Sequence, residues 1–374
     1  MDYRPRRLAG EAAMSTDQQA GVLEPAIDIR LMYDLLGVDT DESHFRLVEA
    51  AKRESQALPQ LVLSVLRAGG AELGTGAHDE LRRAEQRHMT YKAVADQVSQ
   101  ATAGRVVKGP SIAACYPQGI RRPVGDLDVI VAGESRLWEA VRIVKEFESR
   151  CTIGVSVIGG QPVHFVVWLS WPGVDPALDP PHLVEICTAA FCGDMGAVTV
   201  RADLPSGHVE ADVLSLAEER FQRPFGVRDI LDILVLSRAT TLNVQQLADG
   251  ATRFLLAPEL LELLKLASAH VDIGRLGALN RILADAANTE LSRRRAPATG
   301  SGTTPVHHGV LLQERAWDTR FVSSVTHRWD GGQMLRTPVG DYLLVTGEIV
   351  TVEKYEDAMR ELGCLPLAAK IGGP

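Results

Sequence analysis

Asp126 and Asp128 stand one residue apart at the head of an apolar run that ends at Val131, and this spacing constrains the fold more than any other feature of the chain. Because side chains alternate along a strand, both carboxylates project to the same face of the predicted strand. Mg²⁺ prefers hard oxygen ligands and links protein carboxylates to substrate phosphates. The pair therefore predicts a strand-borne, two-metal site for phosphoryl chemistry.

A nucleotide-binding turn is predicted upstream of this pair. A short strand ends at Lys108 and Gly109, where glycine lets the backbone approach a ligand closely. Ser111 stands at the start of a predicted helix, where free amides and the helix dipole favour phosphate. Arg122 precedes Asp126 by four residues and adds a cation for phosphate. We expect these residues to bind the triphosphate of a nucleotide.

This segment resembles a family of bacterial nucleotidyltransferase-like proteins of the DNA polymerase β-type superfamily. Its members show a strand ending in Leu-Lys-Gly, a helix reaching Tyr-Pro, and then Arg-Pro-x-Gly-Asp-x-Asp before an apolar strand. The matching residues here are Val107, Lys108, Gly109, Tyr116, Pro117, Arg122, Pro123, Gly125, Asp126 and Asp128. The resemblance extends weakly upstream to about residue 30 and downstream to the helix at 228–232. It implies Asp126 and Asp128 as metal ligands, Mg²⁺ or Mn²⁺ as the metal, and ATP or another nucleoside triphosphate as co-substrate.

The superfamily normally supplies a third carboxylate from a neighbouring strand. The corresponding strand in this chain reads as 162–170, and its polar candidate is His164. A neutral imidazole is a poor ligand for Mg²⁺ but can act as a base or bind a softer metal. His164 is therefore the expected substitute, although a hydrogen-bonded core histidine is the alternative reading. Glu185, in the strand-like segment 183–187, compensates if the chain folds back.

The order of predicted elements indicates an α+β fold, a nucleotidyltransferase-type mixed sheet with N-terminal helices and a C-terminal helical lobe. Apolar residues recur at helical spacing over 26–100 and again over 201–292, whereas short β-branched runs mark 101–200 as the sheet core. A flexible tail at 1–25, a linker at 293–306 and a small unit at 307–374 complete the division. In that last unit we expect a hairpin over 341–352, turning near Gly347, and a helix over 353–362.

The net charge, the lengths of the apolar runs and the cysteine spacing limit the classes of partner and the compartment that we expect. The 374 residues carry a formal charge of −9, which disfavours a polynucleotide partner, and no window reaches the roughly 20 apolar residues of a membrane helix. The five cysteines have no repeating spacing, as in free thiols of a reducing compartment. A cytoplasmic protein without membrane contact is expected.

The resemblance and the motif predict an enzyme that transfers a nucleoside monophosphate, AMP from ATP, to the hydroxyl of a small molecule, peptide or protein. A role in natural-product biosynthesis is one expectation for the acceptor. The main alternative is a catalytically impaired relative that serves as a binding, scaffold or regulatory partner, because the third acidic ligand is not identified. One half of a toxin–antitoxin pair is a third reading.

Overall fold

The computed structural model describes residues 27–159, 162–296, 304–317 and 323–365. The α-helices of these residues are α1 (Ile29–Leu36), α2 (His44–Glu54), α3 (Leu58–Ala68), α4 (Thr75–Thr102), α5 (Gly109–Ala113), α6 (Glu134–Phe147), α7 (His208–Glu218), α8 (Val227–Ser237), α9 (Val244–Arg253), α10 (Ala257–Ser268), α11 (Leu279–Arg295) and α12 (Val352–Cys364). The strands are β1 (Arg105–Val107), β2 (Leu127–Ile130), β3 (Thr152–Ile158), β4 (His164–Trp171), β5 (His182–Cys187), β6 (Val306–Glu314), β7 (Val325–Trp329), β8 (Gly332–Thr337) and β9 (Gly340–Val345). The expected mixture of helices and strands is confirmed.

The described strands form one nine-stranded mixed sheet in the order β1-β2-β5-β4-β3-β6-β9-β8-β7. The pair β2 and β5 is parallel, and the other neighbours run antiparallel. Helices α4 and α6 cover one face of the central strands and share a hydrophobic core with it. The opposite face of β2 and β5 is therefore left to polar side chains and to the helices that follow the sheet in sequence.

The helices form a second core that joins two separate parts of the sequence. Apolar residues of α1–α3 pack with those of α7–α11 in one continuous cluster. The predicted N-terminal helical region, 26–100, therefore divides, because α4 packs on the sheet while α1–α3 join the later helices. No helix in the described part of the chain combines the length and apolar character that crossing a membrane requires.

The C-terminal part corrects two expectations. Strand β6 pairs with β3, so β6–β9 extend the central sheet and do not form a separate small unit. Hairpins in this region join β7 to β8 and β8 to β9, and the second turns at 338–339. The predicted hairpin over 341–352 with its turn near Gly347 is therefore wrong. The helix expected over 353–362 is present as α12.

The linker expectation is also corrected in part. Arg293, Arg294 and Arg295 complete α11 and are not part of a loop. Arg294 binds Glu259 and Glu290 through its guanidinium, which explains why the helix continues through this charged stretch. Residues 297–303 of the predicted linker and the predicted tail 1–25 lie outside the described residues.

Candidate functional site

Three carboxylates meet on one face of the sheet. Asp128 and Glu185 are directly paired on the parallel strands β2 and β5, which places their backbones about 4.8 Å apart. Leu127 and Val129 are buried in the core with α4 and α6, so Asp128 projects from the opposite face. Asp126 immediately precedes β2, is exposed, and shares the parity of Asp128. The face opposite α4 and α6 therefore carries Asp126, Asp128 and Glu185 together.

Burial and mutual repulsion shift the titration of these carboxyls. Burial, followed by the charges of Asp128 and Asp126, raises the pKa of Glu185 to about 7. Burial also raises the pKa of Asp128, and Asp126 adds to the effect while Lys108 opposes it. Carboxylates held this close favour either a shared proton or a bound cation.

Lys108 supplies the cation in this conformation. Its Nζ lies 2.9 Å from Asp128 Oδ2 and 2.6 Å from Glu219 Oε1. Glu219 begins a short 3-10 turn directly after α7, so this ammonium group links the sheet to the helical lobe. Burial disfavours its charge, but Asp128 and Glu219 outweigh burial and hold the pKa of Lys108 above its usual range.

The turn that follows β1 is held by a carboxylate of α7. The Lys108 backbone N–H donates to Asp212 Oδ1 at 2.8 Å, and Ser111 Oγ donates to Asp212 Oδ2 at 2.6 Å. Lys108 has a φ of 56°, a conformation that L-residues rarely adopt. A Cβ on Gly109 would lie 2.8 Å from the carbonyl oxygen of Asp126, so a glycine is required here. The Ser111 hydroxyl, expected to bind phosphate, is committed to Asp212.

Arg122 has a structural role that the sequence did not indicate. Its Nε and Nη2 donate to the two oxygens of Asp232 at 2.7 Å each, and its side chain is only 4% exposed. The hydroxyl of Tyr116 donates to the same carboxylate at 2.7 Å, and Arg122 Nη1 donates to the Gly109 carbonyl. This buried network fixes the Gly109 turn to α8, so the expected phosphate contact of Arg122 does not fit the structure.

Tyr91 of α4 aligns the two strands that carry the carboxylates. Its hydroxyl donates to the carbonyl oxygen of Gly125 at 2.7 Å and accepts from the backbone N–H of Leu183 at 2.9 Å. Gly125 precedes Asp126, and Leu183 lies two residues before Glu185. One fully buried phenol therefore holds the entry of β2 against the entry of β5.

His164 does not occupy the third position. It is the first residue of β4 and pairs with Ile158, whereas the β4 residue opposite Glu185 is Trp168. Four residues along a strand correspond to about 13 Å. The expectation that His164 substitutes for the acidic group is corrected, because β5 and not β4 is the neighbour of β2.

Two cavities are lined by Asp126, and a third adjoins the smaller of them. A cavity of about 790 Å³ lies among α2, α3, α4 and the segment before β5. It shares Gly125 and Asp126 with a small cavity of about 40 Å³ beside Lys108. The small cavity in turn shares Arg223 and Arg228 with a third cavity of about 460 Å³. Asp126 therefore lies between the cavity of about 790 Å³ and the small cavity, whose lining includes four cationic side chains.

Sequence reasoning missed Asp212, Glu219 and Tyr91. A signal existed for Asp212, because Val209 and Leu216 flank it at the spacing of one helix face, and a carboxylate on an apolar face needs a partner. No comparable signal marks Glu219 or Tyr91, since their partners lie far away in sequence.

Comparisons with known proteins found no match, so the site is interpreted from its geometry. No protein-family model matches the chain, and neither a curated protein nor a solved structure matches it. Within the described ranges, no group of three or more His, Cys, Asp or Glu side chains is arranged to hold a metal ion. Lys108 is the cation that Asp128 contacts in this conformation.

The buried ion pair of Arg122 yields a stability prediction. Arg122→Met leaves Asp232 buried without its cation, which should lower the free energy of unfolding by about 3–5 kcal/mol in urea denaturation. Arg142→Met is the control, because Arg142 pairs with the exposed Glu139 and Glu146, and such pairs contribute about 1 kcal/mol or less. Equal effects of the two substitutions would contradict the structural role of Arg122.

Asp212 predicts a pH dependence of stability. Burial raises its pKa from 3.8 to about 6, so the folded state favours the protonated carboxyl. The contribution of this group to stability is therefore largest below about pH 4 and falls by about 3 kcal/mol as the pH rises to about 6. Asp212→Asn cannot titrate, so thermal unfolding should show it gaining on the wild type as the pH rises from 4.5 to 7. Ser111→Ala keeps the carboxyl and removes a hydrogen bond that lowers its pKa, so this variant should retain the pH dependence and extend it to higher pH. A pH-independent difference between Asp212→Asn and wild type would contradict the assignment.

Proposed function

We propose that this chain is a metal-dependent nucleotidyltransferase with a nucleotidyltransferase-type core. It moves a nucleoside monophosphate, AMP when ATP is the co-substrate, to the hydroxyl of a small molecule, peptide or protein. The observation that carries the proposal is the convergence of Asp126, Asp128 and Glu185 on one sheet face, with Asp126 at the junction of two cavities.

The donor set suits Mg²⁺ or Mn²⁺. Carboxylate oxygens are the ligands that hard divalent ions prefer. The raised pKa of Glu185 and of Asp128 reflects burial and repulsion among negative charges, which a divalent cation relieves. In the described conformation these three side chains are not arranged as a metal-binding group, so Asp126, Asp128 and Glu185 would hold the metal only after Lys108 Nζ has left Asp128. When bound, the metal neutralises charge that develops on the transferring phosphoryl group and the leaving group.

The transfer needs a base for the proton of the acceptor hydroxyl and releases pyrophosphate as the leaving group. The acceptor oxygen forms a bond to the α-phosphorus, the bond from that phosphorus to the bridging oxygen breaks, and pyrophosphate leaves. A positioned carboxylate can take up the hydroxyl proton. Glu185 lies beside Asp128 on β5 and is the carboxylate placed to accept that proton at one of its oxygens.

The cavity among α2, α3 and α4 provides room for the acceptor. Its volume of about 790 Å³ lies within the range of about 300–1,000 Å³ that small-molecule sites occupy. Apolar residues such as Val48, Leu178 and Pro180 form part of its wall, and Asp126 lies at its boundary. An acceptor bound there reaches the carboxylates from the side away from Lys108.

One observation favours a second candidate, a nucleotide-binding scaffold without turnover. Lys108 bonds to Asp128 and Glu219, while Ser111 and Arg122 are committed to Asp212 and Asp232. A site that stayed in this arrangement would bind a nucleotide without assembling metal ligands around the phosphates.

Substitution of the carboxylates separates the two candidates. Asp126→Asn, Asp128→Asn and Glu185→Gln should each lower pyrophosphate release by on the order of 100-fold or more, because each removes charge or a base at the reaction centre. The assay uses each nucleoside triphosphate with Mg²⁺ or Mn²⁺ and a panel of hydroxyl acceptors.

Two controls sharpen this test. Glu146→Gln removes an exposed carboxylate of α6 and should leave pyrophosphate release unchanged. His164→Ala should also retain activity, since His164 lies at the far end of β4. Nucleotide binding without pyrophosphate release would favour the scaffold, and full activity of Glu185→Gln would remove Glu185 from the site.

A further inference from the structure

Four cationic side chains line the small cavity beside Asp126, and three of them are already neutralised. Lys108 bonds to Asp128 and Glu219, and Arg122 to Asp232. The other two cations that line this cavity are Arg223, which is also paired, and Arg228. Arg223 donates to both oxygens of Asp229 at 2.7 and 2.9 Å and lies 3.4 Å from Glu219.

Arg228 differs from the other three cations. Throughout the described ranges, no hydrogen bond or ion pair of its guanidinium is found, although the residue is half-buried. It is the second residue of α8 and lines both the small cavity and the cavity of about 460 Å³. Against the effect of burial, Lys108, and to a lesser extent Arg223 and Arg228, lower the pKa of Glu219, but Glu219 is already paired with Lys108 and Arg223. A partly desolvated guanidinium without a hydrogen-bonded partner of its own is unfavourable, so the position suits an incoming anion.

The neighbouring helix terminus does not explain this cation. The backbone N–H of Val227 already donates to Glu54 Oε1 at 3.2 Å, and that of Gly226 donates to Asp229 Oδ2 at 2.8 Å. These amides at the start of α8 are therefore occupied by carboxylates of the protein. The guanidinium of Arg228 is the charged group at this helix start that remains available to a ligand.

The order of the cavities indicates which anion belongs there. The large cavity meets the small one at Gly125 and Asp126, and the small one meets the third at Arg223 and Arg228. In phosphoryl-type transfer, the attacking and leaving oxygens lie roughly in line on opposite sides of phosphorus. With the acceptor in the large cavity, the leaving group exits on the side of Arg228.

We propose that Arg228 binds the β- and γ-phosphates of the nucleoside triphosphate, which become the leaving pyrophosphate. The planar guanidinium suits two phosphate oxygens at once. This assignment rests on the proposed transferase function and adds the direction in which the triphosphate lies: the α-phosphorus near Asp126 and the β- and γ-phosphates toward Arg228.

Binding measurements on the full chain test the assignment. By calorimetry with Mg²⁺, Arg228→Gln should weaken binding of ATP and of inorganic pyrophosphate by about 10- to 100-fold, the range for a lost charged hydrogen bond. Binding of AMP, which lacks the β- and γ-phosphates, should change less than about twofold by the same reasoning. Arg228→Lys should retain part of the affinity, since it keeps the charge without the planar fork. Arg281→Gln, at an exposed arginine of α11, should bind all three ligands as the wild type does.

The outcomes separate this inference from the function on which it rests. Wild-type affinity for ATP and pyrophosphate in Arg228→Gln would overturn the inference and leave the transferase proposal standing. Equal weakening of ATP and AMP would also overturn it, because the effect would not lie at the outer phosphates. Loss of ATP and pyrophosphate binding in the variant, with no turnover by the wild type, would support the phosphate site and contradict the transferase. A wild-type protein that binds neither ligand would overturn both.

Discussion

The parallel pairing of β2 with β5 sets the buried Asp128 directly beside the half-buried Glu185. Two carboxylates in such a place raise each other's pKa unless a cation lies nearby. The ammonium group of Lys108 meets Asp128 and continues to Glu219 at the start of the helical lobe. Much of the surrounding structure fixes the positions of these charged side chains relative to one another.

The helical lobe is joined to the sheet through buried polar contacts as well as apolar packing. Asp232 of α8 accepts from Arg122 and Tyr116, and Asp212 of α7 accepts from the turn after β1. Because a buried carboxylate is costly without partners, each of these contacts specifies one position of the lobe relative to the turn. The same contacts orient the backbone between Lys108 and Gly109, so the site and the interface between sheet and lobe depend on one set of hydrogen bonds.

Local patterns predicted the elements around the site well. The short strand expected to end at Lys108 and Gly109 agrees with β1, and the helix expected over 353–362 agrees with the main part of α12, because alternation and helical spacing are properties of neighbouring residues. The parity of Asp126 and Asp128 followed from the same reasoning. What local pattern does not contain is the order of strands, and this is why His164 on β4 was expected where Glu185 on β5 lies.

The sequence pattern also does not show which group a charged side chain contacts in the folded protein. Arg122 and Asp232 are separated by 110 residues, so no local pattern indicates that the ligand of this arginine is a carboxylate and not a phosphate. The continuation of the sheet from β3 into β6 likewise depends on a pairing between distant segments, and the predicted C-terminal unit could not be placed without it. Arg228 became a candidate ligand-binding residue only because its guanidinium has no hydrogen bond or ion pair in the described part of the chain. No sequence motif indicates this.

The most direct test of the carboxylate site is to locate Mn²⁺ by anomalous diffraction in crystals of the full chain soaked with Mn²⁺ and a non-hydrolysable ATP analogue. The account predicts anomalous density in contact with Asp126, Asp128 and Glu185, with Lys108 Nζ moved away from Asp128. Manganese bound elsewhere, or a Lys108 that keeps its contact with Asp128 while nucleotide is bound, would contradict it.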